Sequence, residues 1–289
     1  PPAPMAAAPT TALHARGVSD RTEIAAYLQT NRRYAAYALG DLDSANRDRC
    51  TWGMAYDADG SPVALAMHHE GLIPQPLFLM GDPEGCHAVL ATVIKPRDAF
   101  FQATEAHEAA IGDLYELDRP TALLRMVADR GTFQPVAGLA ERLGPADIED
   151  LNRLYQLGFR AGFATTILDD AVYFGVRVRG RLVSAAGTHV LNRSEGIAVV
   201  GNVMTHADYR GHDFAKMVTS AVTAELLDRV PDVALNVHAD NTPAIAAYAR
   251  LGYREHCRLS ERLGRRRSGG WGLMRPLREA MRITWPRDR

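Results

Sequence analysis

Cysteine and lysine are scarce in this sequence, and long apolar runs are missing. The three cysteines, Cys50, Cys86 and Cys257, are too few and too widely spaced for a disulfide framework or a zinc site. No run reaches the roughly eighteen apolar residues that a membrane-spanning helix needs. The opening PPAPMAAAPT lacks the basic start and apolar core of a secretory leader, so we interpret residues 1–20 as a loose tail. These absences predict a cytoplasmic protein that does not interact with membranes.

The basic residues are almost all arginine. Only Lys95 and Lys216 are lysine among 33 basic side chains, and eleven arginines face four acidic residues from Arg254 onward. Arginine replaces lysine along the whole chain and no aromatic residues are interleaved with it, so we expect no nucleic-acid partner. His68 and His69 lie in an apolar stretch without a partner at helical spacing, so we also expect no metal.

The remaining composition is that of an ordinary globular protein. The chain has 289 residues, of which 47% are hydrophobic and 23% charged, and its net charge is −1. Such a composition excludes wholesale disorder, and the length predicts about two domains. The first half combines a helical stretch over 22–39 with the strand-like runs CTWGMAYD, PVALAMHH, LFLMG and DAFFQA. It contains neither a phosphate-binding glycine pattern nor a catalytic cluster, which is typical of a scaffold.

A change in pattern near residue 135 marks the expected domain boundary. Pro135 and Gly138 indicate a linker, and an amphipathic helix with apolar residues at helical spacing follows Gly144. The second half then alternates as β-β-β-α-β-α-β, with the strands YFGVRV, LVSAAGTHVL, IAVVGNVMTH, VALNVHA and YREHCRLSERL. This order predicts an α/β domain with a sheet flanked by helices.

The passage VMTHADYRGHDFAKMV joins a strand to a helix through a short loop. The free amides at a helix start bind anions, and Arg210 and Lys216 add positive charge there. A second passage, NVHADNTPAIAAYARLGYRE, places Asn241, Ala244 and Tyr248 at helical spacing. From spacing alone, Tyr248 is interpreted either as a functional hydroxyl or as a half-buried core residue.

Together and in this order, the two passages resemble the GNAT family of acyl-CoA-dependent N-acyltransferases. The resemblance covers about residues 139–262, and LGDLD, GTHV and GNVMTHADYRG make the chain similar to two-lobed members. It implies an α/β fold with a GNAT-like mixed sheet flanked by helices, in two lobes. The expected division is a tail over 1–20, a degenerate GNAT-like lobe over 21–134, a complete GNAT acetyltransferase domain over 135–264, and an arginine-rich extension over 265–289.

The resemblance also implies roles for individual residues. The donor would be acetyl-CoA or another short acyl-CoA, and Tyr248 would protonate the departing thiolate. A backbone amide near Met204 would stabilise the oxyanion. The residues expected to bind the cofactor are Val203, Met204, Thr205, Arg210, Gly211, His212, Asp213, Phe214, Ala215, Lys216 and Asn241.

Asp213 departs from the family pattern, which has glycine at this position. A carboxylate beside a pyrophosphate is repulsive, so we expect weakened cofactor binding. Alternatively, Asp213 caps the following helix and points away from the cofactor.

The acceptor would be a primary amine of a small molecule. The candidates for its general base are Glu195 and His189, and Phe159 and Phe163 are expected to shape its pocket. Two other functions remain open: a non-catalytic acyl-CoA binding or sensing protein, and a relative of the aminoacyl-tRNA-dependent transferases. The chain is expected to be a monomer or a homodimer.

Overall fold

The computed structural model describes residues 13–42, 47–156 and 171–267. The strands are β1 His14–Gly17, β2 Cys50–Tyr56, β3 Pro62–His69, β4 Pro76–Gly81, β5 Asp98–Ala103, β6 Tyr115–Leu117, β7 Thr121–Asp129, β8 Glu141–Arg142, β9 Tyr173–Val178, β10 Arg181–Asn192, β11 Ile197–Thr205, β12 Asp232–His238 and β13 Arg254–Arg266. The helices are α1 Arg21–Gln29, α2 Ala36–Gly40, α3 Pro83–Thr92, α4 Glu108–Leu114, α5 Ile148–Tyr155, α6 Phe214–Leu227 and α7 Thr242–Arg250. No helix in these described ranges is both long and apolar enough to span a membrane.

The strands form a single mixed sheet that runs through the whole molecule. Its order is β1-β2-β3-β4-β5-β13-β7-β12-β11-β10-β9-β8, and β6 pairs with β13 beside this path. Neighbours are antiparallel except for β4 with β5 and β11 with β12, which are parallel. Each parallel pair is joined by a helix crossover, as parallel strands require. The expected α/β fold with a mixed sheet flanked by helices is confirmed.

The two halves of the chain exchange strands at the centre of this sheet. β7 belongs to the first half in sequence, yet it lies between β12 and β13 of the second half. The last part of β13 pairs in turn with β5, where Ser260 to Arg265 oppose Ala103 to Asp98. Each half therefore contributes a strand to the sheet of the other half. The boundary expected near residue 135 divides the sequence but not the sheet.

Helices cover both faces of the sheet. Leu123 and Val127 of β7 pack with α1 and α2 on one face. Leu124 and Met126, which alternate with them, pack on the other face with the cluster that contains α6 and Tyr248 of α7. Helices α3 and α4 cover the first half of the sheet in a separate cluster. The alternation along β7 thus separates an α1/α2 face from an α6/α7 face at the centre of the molecule.

Two local expectations were wrong. Residues 14–17 form β1 and pair with β2, although the sequence was interpreted as a loose tail to residue 20. The helix expected over 22–39 is two helices, because α1 ends at Gln29 and the next residues turn. In that turn the side chain of Asn31 accepts a hydrogen bond from the Tyr34 amide. Tertiary partners explain the break, since Arg32 and Arg33 both bind the carboxylate of Asp232 on β12.

Near the C-terminal end of the described residues, strand β13 continues past residue 264. Arg265 and Arg266 belong to β13, and Arg266 donates to the hydroxyl of Tyr115. They lie within the expected arginine-rich extension over 265–289, of which residues 268–289 are outside the described ranges.

Candidate functional site

The sheet opens between β11 and β12. These strands pair only from Ile197 to Val200 and from Asp232 to Leu235, although both continue beyond that point. The opening follows a bulge in β11, where Asn202 has a φ of 53° and the register with β10 shifts. The hydroxyl of Tyr155 donates to the Asn202 carbonyl at 2.7 Å and holds the bulge. Val203, Met204 and Thr205 consequently lie on the part of β11 that β12 does not cover.

The loop after β11 leads into an uncapped helix start. Gly211 and Asp213 have φ angles of 80° and 59°, and α6 begins directly after them. The Asp213 side chain does not cap α6 but binds the Lys216 ammonium at 2.7 Å, which holds the pKa of Asp213 below its ordinary value. The first amides of α6, those of Phe214, Ala215 and Lys216, therefore have no capping side chain. Together with the partial positive charge of the helix start, they form a surface suited to an anion.

The middle of this loop is exposed to solvent. Arg210 is exposed, as are Gly211 and His212. The His212 ring stacks on Phe214 with 5.6 Å between ring centroids. The structure thus brings Arg210 to Lys216 together around one helix start, next to the opened end of β11.

The corresponding place in the first half of the chain is closed. β4 and β5 also separate after three paired residues, but the Leu79 carbonyl beyond that point accepts a hydrogen bond from the Tyr34 hydroxyl at 2.6 Å. The Gly81 carbonyl lies 3.0 Å from Nε2 of His107. Asp82 caps α3 by accepting a hydrogen bond from the Gly85 amide at 2.7 Å. The backbone carbonyls and amide that a ligand would bind there already form hydrogen bonds with side chains of the protein itself.

Tyr248 lies on α7 and faces the α6 side of the opening. Its ring is 7% exposed and lies 6.2 Å from the ring of Tyr253. The Tyr248 hydroxyl forms no hydrogen bond with any described residue and is not among the sealed polar atoms. Burial raises the pKa of this hydroxyl to about 12, so it remains protonated at neutral pH. Asn241 precedes the same helix and caps it, accepting a hydrogen bond from the Ala244 amide.

Of the two candidate bases, His189 lies at the opening. It occupies a bulge in β10, and its ring covers Gly201, where an added Cβ would lie 2.3 Å from the imidazole. Its Nδ1 atom is 2.9 Å from the hydroxyl of Tyr37 on α2. Burial lowers the pKa of His189, and a side-chain hydrogen bond with Asn202 opposes part of that effect. A neutral imidazole is the form that accepts a proton.

Glu195 lies at the opposite end of β11 from the opening. It is separated from Met204 by nine residues, which corresponds to about 30 Å of extended strand. Its carboxylate binds Arg21 at 2.8 Å and Gln29 at 3.0 Å, both on α1. This geometry does not place Glu195 near Tyr248 or His189. Instead, Glu195 attaches α1 to the turn between β10 and β11. Its partners Arg21 and Gln29 are far away in the sequence, so spacing could not predict these contacts.

Two polar residues on β7 and β13 were not among those expected from the sequence. Arg125 on β7 is 2% exposed and donates to the side chain of Asn236 at 2.9 Å. Glu261 on β13 accepts a hydrogen bond from Gln102 at 2.6 Å, and burial raises the pKa of Glu261. A single arginine inside the apolar run TALLRMVA was the available sequence signal for Arg125. Phe159 and Phe163, expected in the acceptor pocket, lie outside the described residues.

One group of side chains in the first half resembles a metal site in composition. Ligand atoms of Asp41, Cys50 and His69 lie within 4.8 Å of one another. Nδ1 of His69 accepts a hydrogen bond from the Gly71 amide, so the neutral ring carries its proton on Nε2, the atom nearest Asp41. Burial also raises the pKa of the Cys50 thiol to about 12, which keeps it protonated. Ligation would require loss of the Cys50 thiol proton and a shift of the His69 ring proton, and the expectation of no metal stays a prediction.

Comparison with known proteins identifies relatives of this fold. The family described as FR47-like protein matches residues 173–263. No curated protein matches the chain. The chain is similar to a putative GNAT acetyltransferase from Novosphingobium aromaticivorans, with 24% identity, coverage of 70% of this chain and 89% of that one, and a TM-score of 0.54.

Two further structures cover most of the chain. A GCN5-related N-acetyltransferase from Sphaerobacter thermophilus is 17% identical, covering 89% of this chain and 96% of that one, with a TM-score of 0.56. A tandem GNAT protein from the clavulanic acid biosynthesis pathway is 16% identical, with coverage of 87% and 98% and a TM-score of 0.50. At these identities the likeness establishes the fold.

Proposed function

We propose that this chain, a GNAT-family protein with an FR47-like second lobe, is an N-acyltransferase that uses acetyl-CoA or another short acyl-CoA. The observation that carries the proposal is the contrast between the two helix starts. The start of α6 has no capping side chain and adjoins an opened sheet, whereas Asp82 caps the start of α3. A donor with a pyrophosphate group fits the first place and not the second.

The residues around the second opening fit such a donor. Amides of the loop from Arg210 to Lys216 would bind its pyrophosphate, and the uncovered edge of β11 at Val203 to Thr205 would pair with its amide-containing arm. When bound, the donor supplies a thioester whose carbonyl carbon accepts an amine. The acceptor is a primary amine of a small molecule.

In this mechanism His189 accepts a proton from the acceptor ammonium. Its lowered pKa keeps the imidazole neutral, and its place in the β10 bulge directs the ring to the opening. A backbone amide near Met204 stabilises the oxyanion in the transition state. The Tyr248 hydroxyl, which has no other hydrogen-bond partner among the described residues, donates to the departing thiolate.

The remaining expectations belong to the same proposal. All three cysteines are free thiols, which favours a reducing compartment such as the cytoplasm. Asp213 places a carboxylate in the anion-binding loop and neutralises Lys216, so binding of the donor is weaker than an uninterrupted loop would give. That ion pair is also the observation that favours the second candidate function, an acyl-CoA binding protein without catalytic activity.

The test measures donor binding and turnover separately. Isothermal titration with CoA reports binding, and release of free thiol from acetyl-CoA in the presence of a panel of primary amines reports turnover. Binding with amine-dependent release supports the acyltransferase, and binding without release for any amine supports the non-catalytic protein. Absence of binding, with retention of the protein on an RNA column, would favour the aminoacyl-tRNA-dependent class.

A further inference from the structure

Arg125 is a buried cation that forms no ion pair with a described residue. Its side chain is 2% exposed, and no carboxylate of a described residue lies within 4.0 Å of the guanidinium. Nε donates to the side chain of Asn236 and Nη1 donates to the Tyr34 carbonyl. Nη2 bonds to no described residue, and it is not one of the polar atoms sealed from solvent. A buried charge of this kind is costly unless an anion compensates it.

Arg125 lies beneath the point where the sheet opens. It is directly opposite Asn236, the first residue of β12 after the last one paired with β11. It shares the α1/α2 face with Leu123 and Val127, so it approaches the opening from the side opposite Tyr248. The guanidinium carbon lies 5.4 Å from the centre of the Tyr37 ring, whose hydroxyl contacts His189. Arg125 and the candidate base His189 therefore both contact Tyr37.

No carboxylate of a described residue on this face pairs directly with Arg125. Glu261 interacts electrostatically with Arg125 but lies beyond 4.0 Å from the guanidinium, and its carboxylate accepts a hydrogen bond from Gln102 at 2.6 Å. The other ionisable groups that interact with Arg125 are Tyr34, Tyr37, Cys257 and His256. Histidine adds no negative charge, and burial raises the pKa of the Cys257 thiol and of both tyrosine hydroxyls. Among the described residues, no anion lies within 4.0 Å of the Nη2 atom.

We propose that the acceptor amine also carries a carboxylate, which binds Nη2 of Arg125 while the amine faces His189. This inference rests on the proposed acyltransferase function and narrows its acceptor to small amino acids. A carboxylate carries one negative charge, which balances the single charge of the guanidinium, and one of its oxygens can accept the hydrogen bond that Nη2 offers.

The first experiment uses the unaltered protein and pairs of acceptors that differ only in charge. Glycine, β-alanine and longer amino acids are each compared with their carboxamides, and kcat/KM is measured by thiol release from acetyl-CoA. A charge-assisted hydrogen bond corresponds to a preference for the acid of about 10-fold to 100-fold. Short carboxylic acids without an amine should inhibit competitively against the acceptor, and their neutral amides should not.

The second experiment uses Arg125→Gln, with Arg258→Gln on the exposed surface of β13 as the control. The Arg125 variant should lose the preference for the acid through a higher KM, with little change for the carboxamide, while the control retains the preference. Thermal unfolding shows whether each variant is folded. If Arg125→Gln does not fold, the acid preference and the inhibition in the unaltered protein decide the matter.

The two proposals fail in different ways. Amines turned over equally with and without a carboxylate would overturn the acceptor inference and leave the acyltransferase standing. A preference for phosphonate analogues over carboxylates would also overturn it. Donor binding without turnover of any acceptor would overturn both.

Discussion

The hydroxyl of Tyr248 offers a direct test of the proposed chemistry, because Tyr248→Phe removes one oxygen and keeps the ring. The ring is buried against Tyr253, and that packing is retained in the variant. The hydroxyl bonds to no described residue, so its removal breaks no hydrogen bond within the described part of the chain. We expect the free energy of unfolding to change by less than about 0.5 kcal/mol.

Turnover should respond much more strongly. Loss of a positioned acid typically costs about 10²-fold to 10⁴-fold, which corresponds to about 3–5 kcal/mol of activation free energy. Burial raises the pKa of Tyr248 to about 12, whereas an ordinary thiol has a pKa of about 8.5. Full proton transfer to the thiolate is therefore uphill, and the hydroxyl acts mainly as a hydrogen-bond donor. We expect a decrease in kcat near the lower limit, about 10²-fold.

Tyr253→Phe is the matched control on the neighbouring ring. The Tyr253 hydroxyl is buried and lies 2.7 Å from Oγ1 of Thr223, so this variant does lose a hydrogen bond. It should lose about 1 kcal/mol of the free energy of unfolding and keep its turnover. Tyr248→Phe should therefore lower kcat and leave the free energy of unfolding nearly unchanged, whereas Tyr253→Phe should lower the free energy of unfolding and leave kcat unchanged.

The assay combines thermal or urea unfolding with steady-state thiol release at saturating acetyl-CoA. The pH profile adds a second readout, because Tyr248 stays protonated and should cause no loss of kcat below about pH 11. Unchanged turnover in Tyr248→Phe would refute the reasoning and make Tyr248 a core residue. A large loss of stability in that variant would refute the claim that its hydroxyl has no structural partner.

Three further predictions concern the loop, the contact between the halves and the shared sheet. Asp213→Gly should tighten CoA binding about fivefold at low salt. The reasons are that glycine adopts the positive φ of this position readily and that Lys216 loses its ion pair with the carboxylate. An unchanged Kd in a CoA titration would contradict this prediction. Asp232→Asn should lower the free energy of unfolding by about 1–3 kcal/mol without changing kcat. The reason is that the buried carboxylate binds Arg32 and Arg33 away from the opening. A kcat that decreases together with stability would argue against this prediction. A chain limited to 135–264 should aggregate, because it lacks the strand between β12 and β13; a soluble, cooperatively unfolding monomer would disprove this.

The local pattern of the sequence was sufficient for the elements of the second half. Turn residues and apolar runs delimit β9, β10 and β11, and the helix expected after the loop VMTHADYRGHDFAKMV is α6, Phe214–Leu227. Such elements are predictable because they depend on neighbours in the chain, through turn chemistry and hydrophobic periodicity. The position of the anion-binding loop follows for the same reason.

The pairing of strands and side chains that are far apart in the sequence could not be predicted from local patterns. The run TALLRMVA has the composition of a buried strand, but nothing in it indicates that β7 leaves its own half to pair with β12 and β13. Glu195 seemed a possible base by its place beside β11, and only the fold shows that α1 binds it. Local propensity carries no information about which strand or helix will be the neighbour, since that depends on contacts between residues more than a hundred positions apart.

The sequence by itself therefore determined the α/β fold of the second lobe, the loop from Arg210 to Lys216 and the helix that carries Tyr248. The tertiary structure decided that the two halves share one sheet, that the first opening is closed by Tyr34 and His107, and that Asp213 binds Lys216 instead of capping α6. It also placed the buried guanidinium of Arg125 opposite Asn236, beneath the second opening. These features arise from packing across the sheet, where burial and hydrogen-bond partners depend on distant parts of the chain.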